Sequence, residues 1–495
     1  MEPFAPNANT GEYAMNLPRT VLFYTLALLV LTVAVPFCEA QPDFEYHVEA
    51  ANPATPDPAI ERALQTIQPQ RIQQIIDTLV KFGTRNTLSS MEAGLPPGEG
   101  ISAAADWIAG QFEQISRECG GCLEVHRDTF TEPVGDRIPQ PTTITNLYAV
   151  LRGSDPVEAK RMVLVTGHYD SRISNVLDAG NPAPGANDDA SGVAVSLECA
   201  RALSKLHFPA TLVFVAVAGE EQGLNGSAHL AKLAKSEGWQ LEAVLNNDIV
   251  GGNTTPGDTL QLKDRVRVFS EGMPAAATPD QERRIRALGK ESDSPSRELA
   301  RAVADAARTY FSPPTVQPFS AFLVFRPDRY LRGGDHTSFN REGFAAVRFT
   351  EWREDYNHQH QDIVLPPAGS SNPILGDLIQ FVDFNYVASV ARLNAATLAT
   401  LASSPGEPAN VAIVTTKLEN GTTLHWDAPA GAQGNTHYEV LWRETTAPDW
   451  QFANTVAQQA VDAPVTITVP VSKDNVIFGV RAVDAAGHRS LVVVP

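Results

Sequence analysis

The sequence predicts two folded parts: an α/β domain whose mostly parallel, mixed sheet is sandwiched by helices, and a smaller all-β sandwich at the C-terminus. Apolar residues recur first at helical intervals and then in short β-branched runs separated by helical segments, which is typical of a sheet covered on both faces. The tail instead has short alternating strands and no helical period. A chain of 495 residues also exceeds what one hydrophobic core usually organises, so we expect an accessory module.

The beginning of the chain has the features of an export signal. An apolar stretch over residues 21–37 follows Arg19 and is followed by Cys38-Glu39-Ala40, a signal-peptidase site. The rival interpretation is a membrane anchor, because the stretch approaches the roughly 20 residues that span a bilayer, but Pro36 and the small-residue ending favour cleavage. The residues before Met15 include two Glu and no Lys or Arg, so Met15 can be the true start. We therefore expect a secreted or periplasmic protein without a stable membrane span after cleavage.

The order of these patterns gives the expected domain limits. A segment rich in Pro and Ala and without periodicity follows the export signal, and a Ser-Ser-Pro-Gly-Glu-Pro stretch separates the two folded parts. The expected limits are a signal peptide over residues 1–40, a leader over 41–58, the α/β domain over 59–402, a linker over 403–407 and the β-sandwich over 408–495.

The elements follow in order along the chain. Helical spacing runs from Ile67 to Val80 and from Ile101 to Ile115, and Ser294-Pro295 supplies an N-cap and a first-turn Pro for a later helix. The expected strands of the main sheet are residues 145–151, 162–165, 211–218, 243–245 and 344–349. Those of the tail lie around Val411, Leu424, Tyr438, Ile467 and residues 478–483.

Charge and cysteine content narrow the classes of function. The formal charge of −19 and the lack of a dense Lys/Arg run argue against a nucleic-acid partner, because phosphate binding needs a clustered basic surface. Cys119 and Cys122 form Cys-Gly-Gly-Cys, and in an exported chain we expect them to close a small disulfide loop. No second Cys pair completes a four-cysteine zinc knuckle. Cys199 lies in an apolar helical pattern and is expected to be buried.

Four segments place metal-binding side chains directly after an apolar strand. Because the carboxyl ends of parallel strands meet at one edge of a sheet, we expect these side chains to share a crevice. The segments are Val165-Thr-Gly-His168-Tyr-Asp170-Ser, Gly185-Ala-Asn-Asp188-Asp189-Ala-Ser-Gly, Ala218-Gly-Glu220-Glu221-Gln-Gly and Leu245-Asn-Asn-Asp248.

The residue types in these segments favour zinc and hydrolysis. His and carboxylates without Cys suit a hydrolytic zinc site, and about five such ligands exceed what one tetrahedral zinc needs, which indicates two ions. Two ions bridged by a carboxylate can polarise a carbonyl and produce hydroxide at neutral pH. In the Glu220-Glu221 pair one side chain can bind metal while its neighbour moves the proton. Asp170 can hold the far imidazole nitrogen of His168.

On these motifs, the region from about Ile72 to Leu401 resembles the M28 family of co-catalytic zinc peptidases in its bacterial aminopeptidase type. The family includes bacterial leucyl aminopeptidases and glutamate carboxypeptidase. The resemblance implies the zinc-exopeptidase type of α/β fold and two zinc ions in the catalytic domain. It also implies that His168 and Asp248 hold one zinc, that Glu221 and a late His hold the other, that Asp188 bridges both ions and that Glu220 is the general acid/base.

The late His is expected four residues before an Asp. The segment Tyr356-Asn-His358-Gln-His360-Gln-Asp362 therefore places this ligand at His358, with His360 as the rival.

Two further positions depart from the family pattern. Gly334-Asp335-His336 resembles a Ser-Asp-His segment of the cleft, but Gly334 replaces the Ser, and no chemistry is assigned to His336. For stabilising the oxyanion the candidates are Tyr330, which is displaced by one residue from the family spacing, and Arg332.

The tail resembles a fibronectin type III module, which is an immunoglobulin-like β-sandwich. The resemblance depends on Trp426, Tyr438 and the closing Phe478-Gly-Val-Arg-Ala-Val-Asp, with the Trp and the Tyr as expected core residues. Contact with a polymer or a cell surface competes with spacing or stabilisation of the enzyme as the role of this module.

The expected function is that of a secreted aminopeptidase acting on peptide or protein substrates, with Glu220 delivering water. A second hypothesis keeps the metal centre and changes the substrate. The enzyme would then be a carboxypeptidase or a glutaminyl cyclase with one zinc. The carboxypeptidase stays open because Arg326, Arg329 and Arg332 are candidates for binding a terminal carboxylate. A third is a non-catalytic binding protein on the same scaffold. Against the third hypothesis, every expected ligand position is filled.

Overall fold

A computed structural model describes residues 49–311, 318–416, 418–432, 434–458 and 463–495. The predicted signal peptide over residues 1–40, the alternative start at Met15 and residues 41–48 of the predicted leader lie outside these ranges. No helix within the described ranges combines the length and the apolar character needed to cross a lipid bilayer.

Helices and strands are numbered here in chain order. The helices are α1 (Pro58–Gln65), α2 (Pro69–Val80), α3 (Ile101–Glu118), α4 (Ala190–Leu203), α5 (Glu220–Gly223), α6 (Asn225–Ser236), α7 (Pro279–Leu288), α8 (Pro295–Tyr310), α9 (His336–Arg341) and α10 (Phe384–Ser403). The strands are β1 (Glu49–Ala50), β2 (Leu123–Glu132), β3 (Thr142–Leu151), β4 (Arg161–His168), β5 (Thr211–Val217), β6 (Gln240–Asn247), β7 (Arg265–Ser270), β8 (Ser320–Val324), β9 (Ala346–Thr350), β10 (Ala409–Ile413), β11 (Thr422–Asp427), β12 (His437–Glu444), β13 (Phe452–Ala457), β14 (Val465–Val469) and β15 (Val476–Val483).

Eight strands form the main sheet, in the order β2-β3-β5-β4-β6-β9-β7-β8. The central strands β5, β4, β6 and β9 pair in parallel, and β7 pairs in parallel with β8. Strands β2 and β3 join antiparallel on one side, and β7 is antiparallel to β9. The predicted mixed, mostly parallel sheet is therefore confirmed.

Helices cover both faces of this sheet. Along β4, Val163 and Val165 belong to a core shared with α2, α3, α4, α8 and α10, whereas Met162 and Leu164 belong to a second core shared with α6 and α9. This alternation is the two-residue period of a strand. Each fully buried aliphatic side chain of this kind contributes about 1.5–3 kcal/mol. Both faces of the sheet are thus occupied, which leaves its carboxyl edge for a functional site.

Local features agree with the sequence patterns. Pro295 begins α8, and Ser294 Oγ accepts a hydrogen bond from the Arg297 N–H at 3.2 Å, so the predicted cap is confirmed. Cys119 and Cys122 form the predicted disulfide, and Cys199 is buried in α4.

The chain after α10, together with β1, forms two antiparallel sheets, one in the order β1-β13-β12-β15 and the other in the order β10-β11-β14. Trp426 and Tyr438 are fully buried in one apolar cluster, with ring centroids 5.2 Å apart, so their prediction as core residues is confirmed. Strand β1 comes from the segment expected to be a leader, and Glu49 pairs with Ala453. This part of that segment belongs to the C-terminal fold because its backbone is bonded to β13.

Charged side chains of α8 and of the turn before it meet the C-terminal sheets. The buried Asp293 pairs with Arg443 of β12 and lies 3.6 Å from Arg301. Asp305 pairs with Arg481 of β15 at 3.1 Å. This joint, called the domain seam below, consists of Asp293, Glu298, Arg301, Asp305, Arg443 and Arg481.

Candidate metal centre

Three strand ends deliver predicted side chains to one edge of the main sheet. Strand β4 ends at His168, and β6 ends one residue before Asp248. After β5, Gly219 has φ +77°, and α5 begins directly at Glu220. Glycine takes this left-handed conformation without the strain that a Cβ atom causes. The carboxyl ends of the three strands therefore meet, as their parallel pairing requires.

The fourth segment is the loop that carries Asp188 and Asp189 before α4. The carboxylate of Asp377 accepts hydrogen bonds from the N–H groups of Asn187 at 2.8 Å and of Asp188 at 2.7 Å. Asp189 caps α4 and accepts a hydrogen bond from the backbone N–H of His168 at 3.0 Å. The peptide bond between Asp188 and Asp189 is cis. These hydrogen bonds fix the loop to the end of β4.

Asp188 lies between two groups of side chains, one at each of its oxygens. Its Oδ1 is 3.1 Å from His168 Nε2, and Asp248 Oδ1 is 3.9 Å from the same nitrogen. Its Oδ2 is 2.9 Å from His360 Nε2, which lies 3.0 Å from Glu221 Oε1. Within each three-residue group the candidate ligand atoms lie within 4.8 Å of one another. One carboxylate is thus shared by two groups, each of which can hold a metal ion.

The structure corrects the assignment of the late His from His358 to His360. The ring of His358 stacks on Phe381 with centroids 3.5 Å apart, and its Nδ1 lies 3.2 Å from Asn253 Oδ1. His360 has φ +55°, and this left-handed turn brings its ring to the two carboxylates named above. The sequence prediction chose His358 because this residue lies four residues before Asp362. Residue spacing gives no information on a left-handed turn, so it could not indicate His360.

Asp170 lies behind His168, where it was predicted. Its Oδ1 is 3.3 Å from His168 Nδ1, and its carboxylate accepts hydrogen bonds from the N–H groups of Glu220 at 3.3 Å and Glu221 at 3.1 Å. The hydroxyl of Thr87 also donates to it, at 3.0 Å. One buried carboxylate thus orients both the imidazole and the helix start that carries the two glutamates.

The centre holds more negative than positive charge. Burial, with help from neighbouring carboxylates, raises the pKa of Glu220 well above its usual range, and burial raises the pKa of Asp335 to about 7. Burial lowers the pKa of His360, but Glu221 and Asp188 outweigh this effect and raise that pKa to about 10. All three shifts mean that this pocket favours added positive charge. The carboxylates concerned are those of Asp170, Asp188, Asp189, Glu220, Glu221, Asp248 and Asp335.

This set of side chains fits zinc. His168 Nε2 and Glu221 Oε1 are buried and make no hydrogen bond within the described residues, although a charged neighbour lies within 3.1 Å of each. Buried polar atoms without a hydrogen bond are available to a partner other than protein. The donor atoms are imidazole nitrogens and carboxylate oxygens, which hydrolytic zinc sites use. Three protein ligands in each group leave a position for water or substrate.

An open cleft of about 380 Å³ lies over the centre, within the size range of small-molecule sites. Four guanidinium groups line it, those of Arg137, Arg172, Arg329 and Arg332. Arg329 and Arg332 both contact Glu354, at 3.0 and 2.9 Å. Arg332, one of the two oxyanion candidates, therefore lies at the cleft but is held by a carboxylate.

The structure does not bring Tyr330, the other oxyanion candidate, to the metal-binding groups. Tyr330 is 75% exposed, and the guanidinium carbon of Arg326 lies 5.5 Å from its ring centroid. His336, to which no chemistry was assigned, is buried with Nε2 2.8 Å from the Pro327 carbonyl oxygen.

Three residues that hold the candidate ligands in place were missed by sequence reasoning. Arg85 is fully buried and donates to the carbonyl groups of residues 184–185, which precede the Asp188 loop. Arg348 of β9 contacts Asp248 Oδ1 at 2.7 Å. A signal existed for Arg348, because a charge inside an apolar strand needs a buried partner. No comparable signal distinguishes Arg85 or Asp377 from other charged residues of loops.

An α/β sheet with this His and carboxylate centre at its carboxyl edge defines a zinc metallopeptidase. The model of peptidase family M28 matches residues 146–368, a range that contains both three-residue groups. The chain belongs to this family.

Two relatives named as probable zinc metalloproteases agree with this classification. A probable zinc metalloprotease of Leptosphaeria maculans is 42% identical over 441 residues, which cover 89% of this chain and 97% of that protein. A probable zinc metalloprotease of Pyricularia oryzae is 44% identical over 455 residues, 90% of this chain and 86% of that protein. Among solved structures, the LapA aminopeptidase of Legionella pneumophila matches 70% of this chain and 73% of its own, with 20% identity and a TM-score of 0.46. Both relatives are fungal, and the bacterial type expected from the motifs is not confirmed by them.

Proposed function

We propose that this protein is an exopeptidase that removes N-terminal residues from peptides, with two zinc ions held around Asp188. The observation that carries the proposal is the position of that carboxylate, whose two oxygens lie 3.1 Å from His168 and 2.9 Å from His360. Asp248 would complete the ligand set on the His168 side, and Glu221 would complete the set on the His360 side. A carboxylate that faces two such groups suits a bridge between two cations.

Bound zinc in a centre of this kind polarises a carbonyl oxygen and lowers the pKa of water enough to supply hydroxide near neutral pH. Glu220 lines the cleft and belongs to neither three-residue group, so its carboxylate can take a proton from water and give it to the leaving amine. Burial raises the pKa of Glu220 well above its usual range, and a general acid/base must hold a proton as well as release it. Asp170 keeps His168 and the start of α5 in position while the proton moves.

The charge distribution of the cleft supports an N-terminal substrate. The carboxylates of Asp188, Glu221 and Asp248 are buried at its floor. Arg137 and Arg332, in contrast, are exposed and therefore lie nearer the opening. With zinc on those three carboxylates, the carboxylate of Glu220 remains in the cleft, and a free α-amine, a hydrogen-bond donor that can carry positive charge, suits it better than a terminal carboxylate does.

A second candidate function is a carboxypeptidase, and the arginines of the cleft favour it. Arg137 donates to the Glu221 carbonyl at 2.8 Å, and Arg172 Nε lies 4.0 Å from Glu221 Oε2. Guanidinium groups bind carboxylates in two-pronged, charge-assisted pairs. A substrate whose terminal carboxylate contacts these two side chains would enter the cleft in the opposite direction.

We also propose that the protein is secreted or periplasmic and that residues 408–495 form a fibronectin type III-like module. The Cys119–Cys122 disulfide supports export, because disulfides persist in oxidising compartments. The two antiparallel sheets around Trp426 and Tyr438 support the module. Helix α10 ends at Ser403 and β10 begins at Ala409, so a short linker lies between them, although Ser403, the first residue of the expected linker over 403–407, belongs to the helix.

The test combines zinc content with substrate direction. Zinc is counted per chain, and hydrolysis is measured on three matched peptides: one with both termini free, one N-acetylated and one C-amidated. The aminopeptidase proposal expects about two zinc ions, cleavage of the free and amidated peptides and none of the acetylated one. Cleavage of the acetylated but not the amidated peptide would establish the carboxypeptidase instead. A protein that binds zinc, hydrolyses none of the peptides and cyclises an N-terminal Gln would be a glutaminyl cyclase. A protein without zinc and without activity would contradict the proposed catalytic function.

A further inference from the structure

Arg348 is a fully buried guanidinium at the edge of the metal centre. Its Nε donates to Thr350 Oγ1 at 2.9 Å, and its Nη1 donates to the Gly333 carbonyl at 3.0 Å and to Asp328 Oδ2 at 3.3 Å. Its Nη2 lies 2.7 Å from Asp248 Oδ1 and donates to the Asp248 carbonyl at 3.3 Å. The planar group is therefore fixed on several sides, and one of its ends holds the carboxylate of a candidate zinc ligand.

The guanidinium has room because residue 334 is Gly. A Cβ atom at Gly334 would lie 2.6 Å from Arg348 Nη1 and 3.3 Å from Asp248 Oδ2. The first distance is too short for real Cβ contacts, so a side chain there must displace the guanidinium. At the neighbouring Gly333, the nearest atom to an added Cβ would be Thr337 Oγ1 at 4.0 Å. Two adjacent glycines thus differ in what a methyl group would do to Arg348.

We propose that Arg348 is a positioning residue that holds the Asp248 carboxylate towards His168, and that Gly334 provides the space it needs. The inference rests on the zinc centre proposed above. Among the ion pairs of the described residues, the basic groups within 4 Å of this carboxylate are those of Arg348 and His168. Side chains that orient a metal ligand typically change metal affinity when they are removed, because the ligand must then be ordered at the moment of binding.

The charge of Arg348 has the opposite effect, because a guanidinium repels a nearby cation. If repulsion dominated, removal of Arg348 would strengthen zinc binding. Orientation prevails in our proposal, since the centre keeps the other carboxylates and their attraction for cations. A substitution at Gly334 separates the two effects, because it displaces the guanidinium and leaves its charge in the protein.

The experiment compares the whole protein with Arg348→Met and Gly334→Ala, and with Gly333→Ala as the matched control. Zinc affinity is measured by competition with a chromophoric chelator, and urea unfolding of the metal-free proteins identifies variants that are folded. We expect Arg348→Met and Gly334→Ala to weaken binding of one zinc ion by about 10- to 100-fold. Gly333→Ala should keep the affinity of the parent protein. A purely structural role would change unfolding and leave the zinc affinity of the folded protein unaltered.

Each outcome decides the proposal. Unchanged zinc affinity in folded Gly334→Ala, or tighter binding in Arg348→Met, would overturn it. If Arg348→Met does not fold, Gly334→Ala decides alone. A parent protein that binds no zinc would disprove the metal centre and this inference with it. A parent that binds two ions, with variants that bind them equally well, would disprove only the positioning role.

Discussion

The domain seam and the metal centre both bury carboxylates, but only the seam supplies a guanidinium for each of them. In the seam, three carboxylates meet three guanidinium groups from α8 and the C-terminal strands. In the centre, seven carboxylates of the described residues meet two imidazoles and the guanidinium groups of Arg348 and Arg172. The seam is therefore balanced by the chain itself, whereas the centre is balanced only when cations bind.

The pKa shifts express the same difference. Burial raises the pKa of Asp305 in the seam, but Arg481 and Arg308 outweigh it, and the net shift is downward. Burial raises the pKa of Glu220 in the centre, and the net shift is upward. Glu298 is an exception within the seam, because burial raises its pKa to about 7 although Arg301 contacts it. Removal of one partner of a buried pair in the seam would leave an uncompensated charge, whereas the unbalanced carboxylates of the centre suit the binding of a cationic ligand.

The largest expected effect is that of Glu220→Gln. We expect turnover to fall by about 10²- to 10⁴-fold, because the proton carrier is lost, while the zinc content stays that of the parent protein. We also expect the metal-free variant to unfold with a free energy about 1 kcal/mol higher at pH 8, because one unbalanced carboxylate is gone. The measurements are kcat/KM, zinc per chain and urea unfolding.

The control for this variant is Glu113→Gln on the exposed side of α3, which should alter none of the three quantities. Full activity in Glu220→Gln would disprove its role in proton transfer. Lower stability of the metal-free variant would contradict the view that the centre carries excess negative charge.

A seam variant should act on stability and leave the chemistry intact. Arg443→Met leaves the buried Asp293 with only the more distant Arg301, and we expect a loss of about 3–5 kcal/mol in the free energy of unfolding. The zinc content and the kcat of the folded fraction should not change. Urea unfolding, with activity measured in the absence of denaturant, checks both statements.

Two further variants sharpen this test. Combining Arg443→Met with Asp293→Leu should recover most of the lost stability, because no unpaired charge then remains buried. Arg283→Met breaks an exposed pair with Asp280 and should cost less than about 1 kcal/mol. A seam variant that costs no more than the exposed one would show that the seam charges do not hold α8 to the C-terminal strands.

Much of the centre could be predicted from sequence because three of its candidate ligands follow strand ends. His168, Glu221 and Asp248 lie in such motifs, and parallel pairing brings the motifs together. Asp188 was expected after a strand as well, but it lies in a loop before α4. The sequence could not distinguish His360 from its neighbour His358 as the candidate ligand, because both lie in one loop. The left-handed backbone conformation of His360 determines which imidazole ring faces the carboxylates of Asp188 and Glu221. Side chains such as Arg348 act from other strands, so their contact with Asp248 has no counterpart in local spacing.

Prediction of the strands from sequence had the same limit. The central strands are continuous apolar runs and were predicted, but β2, β7 and β8 were missed. In β7, Arg265 and Arg267 alternate with the buried Val266 and Val268, so a two-residue period existed but was masked by charge. Strand β1 is two residues long and joins β13 through its backbone, which leaves no side-chain pattern to detect.

The smallest expected effect is that of a change at His488, which lies in a partly buried cluster where positive and negative charge can balance. In the C-terminal part, His488 lies 2.9 Å from Asp484 and 3.2 Å from Asp57, the N-cap of α1. Hydrogen bonding to Asp484 raises the pKa of His488 above its usual value, and Asp57 adds to the shift. A raised pKa in the folded state means that protonated His488 stabilises the fold below about pH 6.5, and that this contribution is lost as the pH rises through the raised pKa.

His488→Gln should therefore lower the free energy of unfolding by about 0.5–1 kcal/mol at pH 5.5 and by much less at pH 9. Chemical unfolding at both pH values measures the difference, and His437→Gln, on the opposite end of β12 from the seam residue Arg443, serves as the control. An equal loss at both pH values would mean that His488 acts through packing and not through its charge. A loss confined to low pH would make the His488 cluster intermediate in charge balance between the seam and the metal centre. Its carboxylates have a cationic partner from the chain, as in the seam, but only while His488 is protonated.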